Sequence, residues 1–158
     1  LVQRLEFMAV SLGVEVIVLD HITAAATGML GSMNDNERML IDSLMKELRS
    51  LVSRTGVHIH IVSQLVKNGK AFEEGERITM QDLRGSGSLA SVPNTVIALE
   101  RNRQDPDSVV KNTTTVRVLK NRLTGKCGVA TALYYDHNSG RLDEVDFQVS
   151  DGGHVTFD

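Results

Sequence analysis

The stretch Gly13-Val14-Glu15-Val16-Ile17-Val18-Leu19-Asp20 decides the fold of this chain. Val16 to Leu19 run apolar without polar alternation, which predicts a strand buried on both faces, as in a parallel sheet. In open α/β sheets ligands gather beyond the carboxyl ends of such strands. Asp20 is expected at that end, where a carboxylate can hold the magnesium of a bound nucleotide. Many α/β proteins end a strand in Asp, so the weight of this pattern comes from what surrounds it.

Upstream, Val2, Leu5, Met8, Ala9 and Leu12 recur at helical spacing, and Gly13 follows as a natural residue just past a helix end. An α/β domain normally opens on a strand, so a leading helix predicts that this is the later part of a larger domain. Downstream, residues 21–34 carry Gly28, Gly31 and Asn34 and read as a loop, with Asn34 or Asp35 expected to cap a long helix. Ile41, Leu44, Met45, Leu48, Leu51 and Val52 make one apolar stripe on that helix, and Gly56 ends it. Val57–Ser63 is the next predicted strand, giving a strand–helix–strand unit with a parallel crossover. Residues 64–94 are polar, punctuated by glycine and long for a connection, as functional loops are. Thr95–Glu100 reads as a buried strand and 102–112 as turns around Pro106. Thr113–Leu119 and Val129–Tyr135, joined through Thr124-Gly125-Lys126, read as an antiparallel hairpin at the sheet edge.

The 158 residues suit one compact domain, and 41% hydrophobic with 23% charged residues is an ordinary globular balance. Aromatic residues are scarce at 4%, which leaves few rings on which single-stranded bases could stack. The single cysteine, Cys127, excludes an internal disulfide and a multi-cysteine zinc site, and fits a reducing, cytoplasmic setting. No apolar run is long enough to span a membrane, so no membrane partner is expected. The formal net charge of −3 hides an asymmetry. Lys111, Arg117, Lys120, Arg122 and Lys126 occupy 108–135 without an acid, whereas 136–158 carry Asp136, Asp143, Glu144, Asp146, Asp151 and Asp158 against Arg141 alone. A basic segment followed by an acidic tail suits a polyanion-facing surface; ordinary surface charge explains it as well.

Four features point to one chemistry. Asp20 ends the first strand. Ser63-Gln64 ends the second, where an amide can sense a terminal phosphate or position a water. Asp82-Leu83-Arg84-Gly85-Ser86-Gly87-Ser88 has glycines that expose backbone N–H groups, useful toward phosphates. Lys120-Asn121-Arg122 precedes the hairpin turn, and strand alternation predicts Lys120 and Arg122 on one face, as an arginine finger reaching another subunit's phosphates requires. Each alone has a plain structural reading: a strand-end residue, a flexible turn, a solvated basic hairpin.

Together, EVIVLDHI, HIVSQL, DLRGSGSLASVPNTVIALERN and VRVLKNRLTG, in this order and spacing, resemble the RecA-like helicase domain of phage primase-helicases, with DnaB-type and mitochondrial helicases more distant. The resemblance runs over roughly 1–142. It implies an α/β, RecA-like three-layer fold with a mainly parallel sheet and an antiparallel edge hairpin, residues 1–145 being motor domain and 146–158 a short acidic tail. It implies Mg2+ at Asp20, with ATP, dTTP or another nucleoside triphosphate as the nucleotide. Gln64 falls where that family senses the γ-phosphate, although phage members often carry His there. Lys67, Asn68 and Lys70, with Arg84 and Gly85, fall on segments that grip single-stranded DNA in a ring's channel. Lys120 and Arg122 fall on the pair that reaches a neighbouring subunit's nucleotide. The implied partners are single-stranded DNA, further copies of the chain in a hexameric ring, and a replicative DNA polymerase and a primase. Val155-Thr156-Phe157-Asp158 resembles the aromatic-ended acidic tails that phage helicases offer their polymerase.

The sequence contains no G-x-x-x-x-G-K-[ST] loop to cradle phosphates, and no counterpart of the family's catalytic glutamate. The chain alone is therefore expected not to hydrolyse ATP. A RecA-like recombinase and a loader-type or non-catalytic DNA-binding relative remain as alternatives, the LKNRLTG block arguing against the recombinase. His58-Ile59-His60 has spacing that puts two imidazoles on one strand face; with no third ligand nearby in sequence, a packed pair is expected rather than a metal site. Cys127 beside Lys126 has no designated base.

Overall fold

The computed structural model describes residues 1–28, 37–66, 69, 71–83, 87–149 and 155–157. Its contacts divide the chain into two compact units. Unit 1 is Leu1–Val66 with Gln81–Pro93, and unit 2 is Lys67–Met80 with Asn94–Asp158.

Unit 1 opens with helix α1 (Val2–Ser11), which buries Leu5. Gly13, at φ 69°, turns the chain into strand β1 (Val16–Leu19). Strand β2 (His58–Ile61) lies parallel to β1, in the register Val16 to His58 through Leu19 to Ile61. Between them the region expected as a loop contains helix α2 (Ile22–Thr27). Its Ala24-Ala25-Ala26 run favours a helix, and Ile22 and Ala26 are buried, so packing and propensity agree there. The expected Asn34 or Asp35 cap lies outside the described residues. Helix α3 (Glu37–Thr55) buries Ile41, Leu44, Met45, Leu48 and Leu51, the stripe its sequence predicts, with Val52 partly buried. Gly56, at φ 74°, ends it in a left-handed conformation that favours glycine. A short helix α4 (Ser88–Ser91) adds Leu89 to the core formed by Leu5, Ile17, Ile22, Val57 and the α3 stripe.

The expectation that β1 is buried on both faces is corrected. Ile17 enters the core at 6% exposure, whereas Val16 and Val18 are 55% and 65% exposed. The reason is alternation: among the described residues only one face of the parallel pair is covered, and Val16 and Val18 stand with His58 and His60 on the other.

Unit 2 is built on an antiparallel sheet ordered β3-β4-β5-β6 among the described residues. These are β3 (Thr95–Glu100), β4 (Thr113–Asn121), β5 (Gly128–Asp136) and β6 (Arg141–Val145). The β4–β5 hairpin forms as its sequence predicts, but it lies between β3 and β6 rather than at the edge. Thr113, Thr115 and Arg117 line one buried face of β4, and Ala98 and Glu100 are the buried pair of β3. Expected turns around Pro106 include helix α5 (Ser108–Asn112), whose first turn is capped by Asp107 accepting from Val109 N–H at 2.7 Å. In the region read as an acidic tail, β7 (Phe147–Val149) pairs with β8 (Val155–Phe157).

The long connection after β2 serves both units. Its later part joins unit 1 through an isolated bridge between Leu65 and Leu83 and a bond from Val66 N–H to Asp82 O at 2.8 Å. Its earlier part joins unit 2: Arg103 N–H donates to Glu73 O at 2.8 Å, and a bridge links Glu74 to Asn102. At Gly75 (φ 84°) a Cβ would stand 3.0 Å from Asn102 Cβ, so the close approach of these two segments needs glycine.

Candidate functional site

The ladder of the parallel pair continues past the carboxyl ends of its strands. Val62 N–H donates to Leu19 O and Ile22 N–H to Val62 O, each at 3.0 Å. This carries Asp20-His21 beside Ser63-Gln64, the arrangement that ligand sites at strand ends require. Asp20 is exposed, and the Asp20–His21 peptide bond is cis. His21 caps α2, its Nδ1 accepting from Ala24 N–H at 3.3 Å, while its Nε2 stands 3.3 Å from Gln64 Nε2. Asp20 and Gln64, singled out in the sequence, are thus at neighbouring strand ends, with His21 between them. His21 escaped the sequence reading; a histidine directly before a short alanine-rich helix was the available signal.

Lys120 and Arg122 lie in unit 2. Lys120 is the second-last residue of β4, opposite Val96. The strand ends at Asn121, so Arg122 opens the turn instead of sharing the strand face expected for it, its N–H donating to Asn94 O at 2.8 Å. Asn121 Oδ1 accepts from Leu123 and Thr124 N–H at 3.1 and 3.2 Å, and Gly125 N–H returns to Asn121 O at 2.8 Å. Burial, and then the neighbouring Arg122 charge, hold the Lys120 ammonium below the ordinary 10.5. At the β5–β6 turn the Ser139 hydroxyl at 2.6 Å, followed by Asn138 N–H at 2.9 Å, hold the Asp136 carboxyl below its usual value. Lys67, Asn68, Lys70, Arg84 and Gly85 lie outside the described residues.

Among the described residues no three His, Cys, Asp or Glu side chains converge on a metal. An exposed single carboxylate such as Asp20 fits a magnesium ion that takes its other ligands from phosphate and water, the usual habit of that ion. The His58 and His60 rings meet edge to face, centroids 4.5 Å apart. Cys127 is exposed, its Sγ 3.5 Å from Leu119 O. No described helix is long and apolar enough to cross a membrane.

Unit 2 also holds an ion pair that the sequence reading passed over. Arg117 Nε donates to both carboxylate oxygens of Glu100, at 3.0 and 2.9 Å, with side chains only 6% and 7% exposed. Ile78 N–H adds a bond to Oε1 at 2.9 Å. A cavity of ≈ 480 Å³ opens beside this pair, lined also by Arg77, Arg101 and Asp105, and by none of the site residues expected from sequence.

The parallel β–α–β unit, with Asp20 and Gln64 just past its strand ends, fits an α/β fold of the RecA-like kind. Two solved structures share the fold. A DnaB-like replicative helicase, described with its interactions with primase, matches at TM-score 0.71 and 21% identity, covering 89% of this chain and 34% of that one. The ATPase domain of another protein matches at TM-score 0.65 and 23% identity, covering 83% and 44%. In sequence, residues 1–144 match the DnaB-like helicase C terminal domain, and the chain belongs to that family. It is 38% identical over 154 residues to the DNA helicase/primase of Enterobacteria phage T3, covering 96% of this chain. It spans only 26% of that relative's length.

Proposed function

We propose that the chain is the later part of the motor domain of a ring-forming replicative DNA helicase, residues 1–145 being motor and 146–158 an acidic tail. The observation that carries this reading is the pairing of Asp20 with Gln64 at adjacent parallel strand ends, within a chain of the DnaB-like helicase family. The nucleoside triphosphate, ATP or dTTP, would bind at a subunit interface. Asp20 would hold Mg2+ on its phosphates, the metal supplying neutralisation of developing charge. Gln64 would contact the terminal phosphate. Arg122, with Lys120, would reach the nucleotide of the neighbouring protomer and stabilise the transition state. Lys67, Asn68, Lys70, Arg84 and Gly85 would hold single-stranded DNA by its phosphates, so sequence preference should be slight. The hexameric state, and docking to a primase and a polymerase, belong to the same proposal.

The test is single-strand-stimulated nucleotide hydrolysis by the full-length protein, wild type beside Arg122→Ala. The expected result is stimulation of the wild type and a loss of about 10³-fold or more in the mutant, which still binds nucleotide. An indifferent mutant, or a full-length protein without turnover, would move the non-catalytic DNA-binding alternative ahead. The chain by itself, without a phosphate-cradling loop, should turn over no ATP in either form.

A further inference from the structure

We infer that His21 is a positioning residue that sets which end of the Gln64 carboxamide faces the nucleotide. The inference rests on the reading of Gln64 as the contact to the terminal phosphate. Its basis is hydrogen-bond bookkeeping around one imidazole ring. Ala24 N–H is a backbone donor and can only donate; it points at His21 Nδ1 from 3.3 Å. That nitrogen therefore carries a lone pair, and a neutral ring holds its proton on Nε2. Gln64 Nε2, 3.3 Å away, is a donor as well. Two donors do not bond, and a half-turn of the carboxamide exchanges its nitrogen and oxygen. The hydrogen-bonded arrangement is His21 Nε2–H donating to Gln64 Oε1.

The consequence reaches the ligand. With Oε1 held by His21, the Gln64 NH2 is left to donate, which is the end an anionic phosphate oxygen accepts from. A freely turning carboxamide would present oxygen to phosphate half the time and repel it. His21 is itself fixed at both ends, by the α2 backbone and by Gln64 in the segment that follows β2, so the ring links the start of α2 to the stretch beyond β2.

The experiment compares the affinities of the full-length protein for a non-hydrolysable triphosphate and for the diphosphate. It uses wild type, His21→Ala, His21→Asn, Gln64→Ala and the His21→Ala/Gln64→Ala double mutant. Asparagine keeps an oxygen that can cap α2 but is too short to reach Gln64, which separates positioning from helix capping. The triphosphate preference should fall about tenfold in His21→Ala, the worth of one hydrogen bond to a charged group. His21→Asn should not restore it, and the double mutant should discriminate no worse than Gln64→Ala. Full discrimination by His21→Asn, or independent losses multiplying in the double mutant, would overturn the inference and leave the helicase reading intact. A Gln64→Ala protein that discriminates like wild type would overturn it by removing the contact that His21 serves. A wild type that binds no nucleotide would overturn both readings together. The nitrogen shifts of the His21 ring give a readout without nucleotide: a neutral ring protonated on Nδ1 contradicts the geometry, and protonation on Nε2 supports it.

Discussion

Arg117 lies diagonally across the β3–β4 pair from Glu100, two residues beyond the carboxylate's direct partner Thr115, and its Nε sits between the two carboxylate oxygens. Both side chains are nearly removed from water. Removing one partner leaves the other charge buried and uncompensated. Arg117→Ala should therefore lower stability by about 3–5 kcal/mol, seen as a fall in the urea midpoint. The Glu100→Leu/Arg117→Met double mutant should recover most of that loss, short of the bond from Ile78 N–H. A single mutant with an unchanged midpoint would show that the pair contributes nothing to unit 2.

Two apolar residues of unit 1 should respond very differently to substitution. Leu44 is 1% exposed in the core of α3, and Leu44→Ala should cost about 2–5 kcal/mol through lost burial and a cavity. Val18 is 65% exposed on β1, so Val18→Thr should change stability by no more than about 0.5 kcal/mol. Equal losses in a paired denaturation series would mean that β1 is covered on both faces.

The Lys120 amine is held below 10.5 by burial first and by Arg122 second. Folding thus disfavours its charged form. The folded state has lost this penalty above the unfolded value of 10.5, and carries it fully once pH falls through the lower folded value. Stability should rise with pH across that alkaline window through this group. Acylation of Lys120, followed by mass spectrometry across pH, should show an onset at lower pH in the folded protein than in the urea-unfolded protein, moving upward in folded Arg122→Ala. Onsets that coincide in wild type would refute the assignment.

Binding of single-stranded DNA by the full-length protein should weaken steeply with salt, because counterions are released when cations meet phosphate. Lys67→Ala and Lys70→Ala should each flatten the slope of log K against log salt by about 0.7. Unchanged slopes would take these lysines off the DNA path.

Much of this architecture was legible because the relevant signals are local. The α3 stripe, the left-handed glycines at 13 and 56, and the alternation of β4 and β5 are each set within a few residues, and the structure follows them. What was not legible depends on contacts distant in sequence. The run Val16–Leu19 looks the same whether one face or two are covered, and only the surroundings tell. Strand β6 (Arg141–Val145) is mostly charged and exposed, so nothing in its pattern separates it from a loop; its ladder to β5 makes it a strand. At the candidate site Asp20 and Gln64 were visible as strand ends. The approach of the His21 ring to Gln64 was not, since that contact spans 43 residues of chain.

The division of the connection after β2 between the two units bears on how the protein can be made and taken apart. Unit 1 lacks Leu89 and the Leu83 bridge until residue 93 has been synthesised, and by then 71–80 already await the β-sheet of unit 2. The last segment of unit 1 therefore follows 67–80 in synthesis, and the sheet of unit 2 follows both. For the same reason no single protease cut or truncation yields both units whole. A boundary after residue 66 strips unit 1 of its last helix, and one after residue 93 strips unit 2 of the segment that holds Glu100 through Ile78.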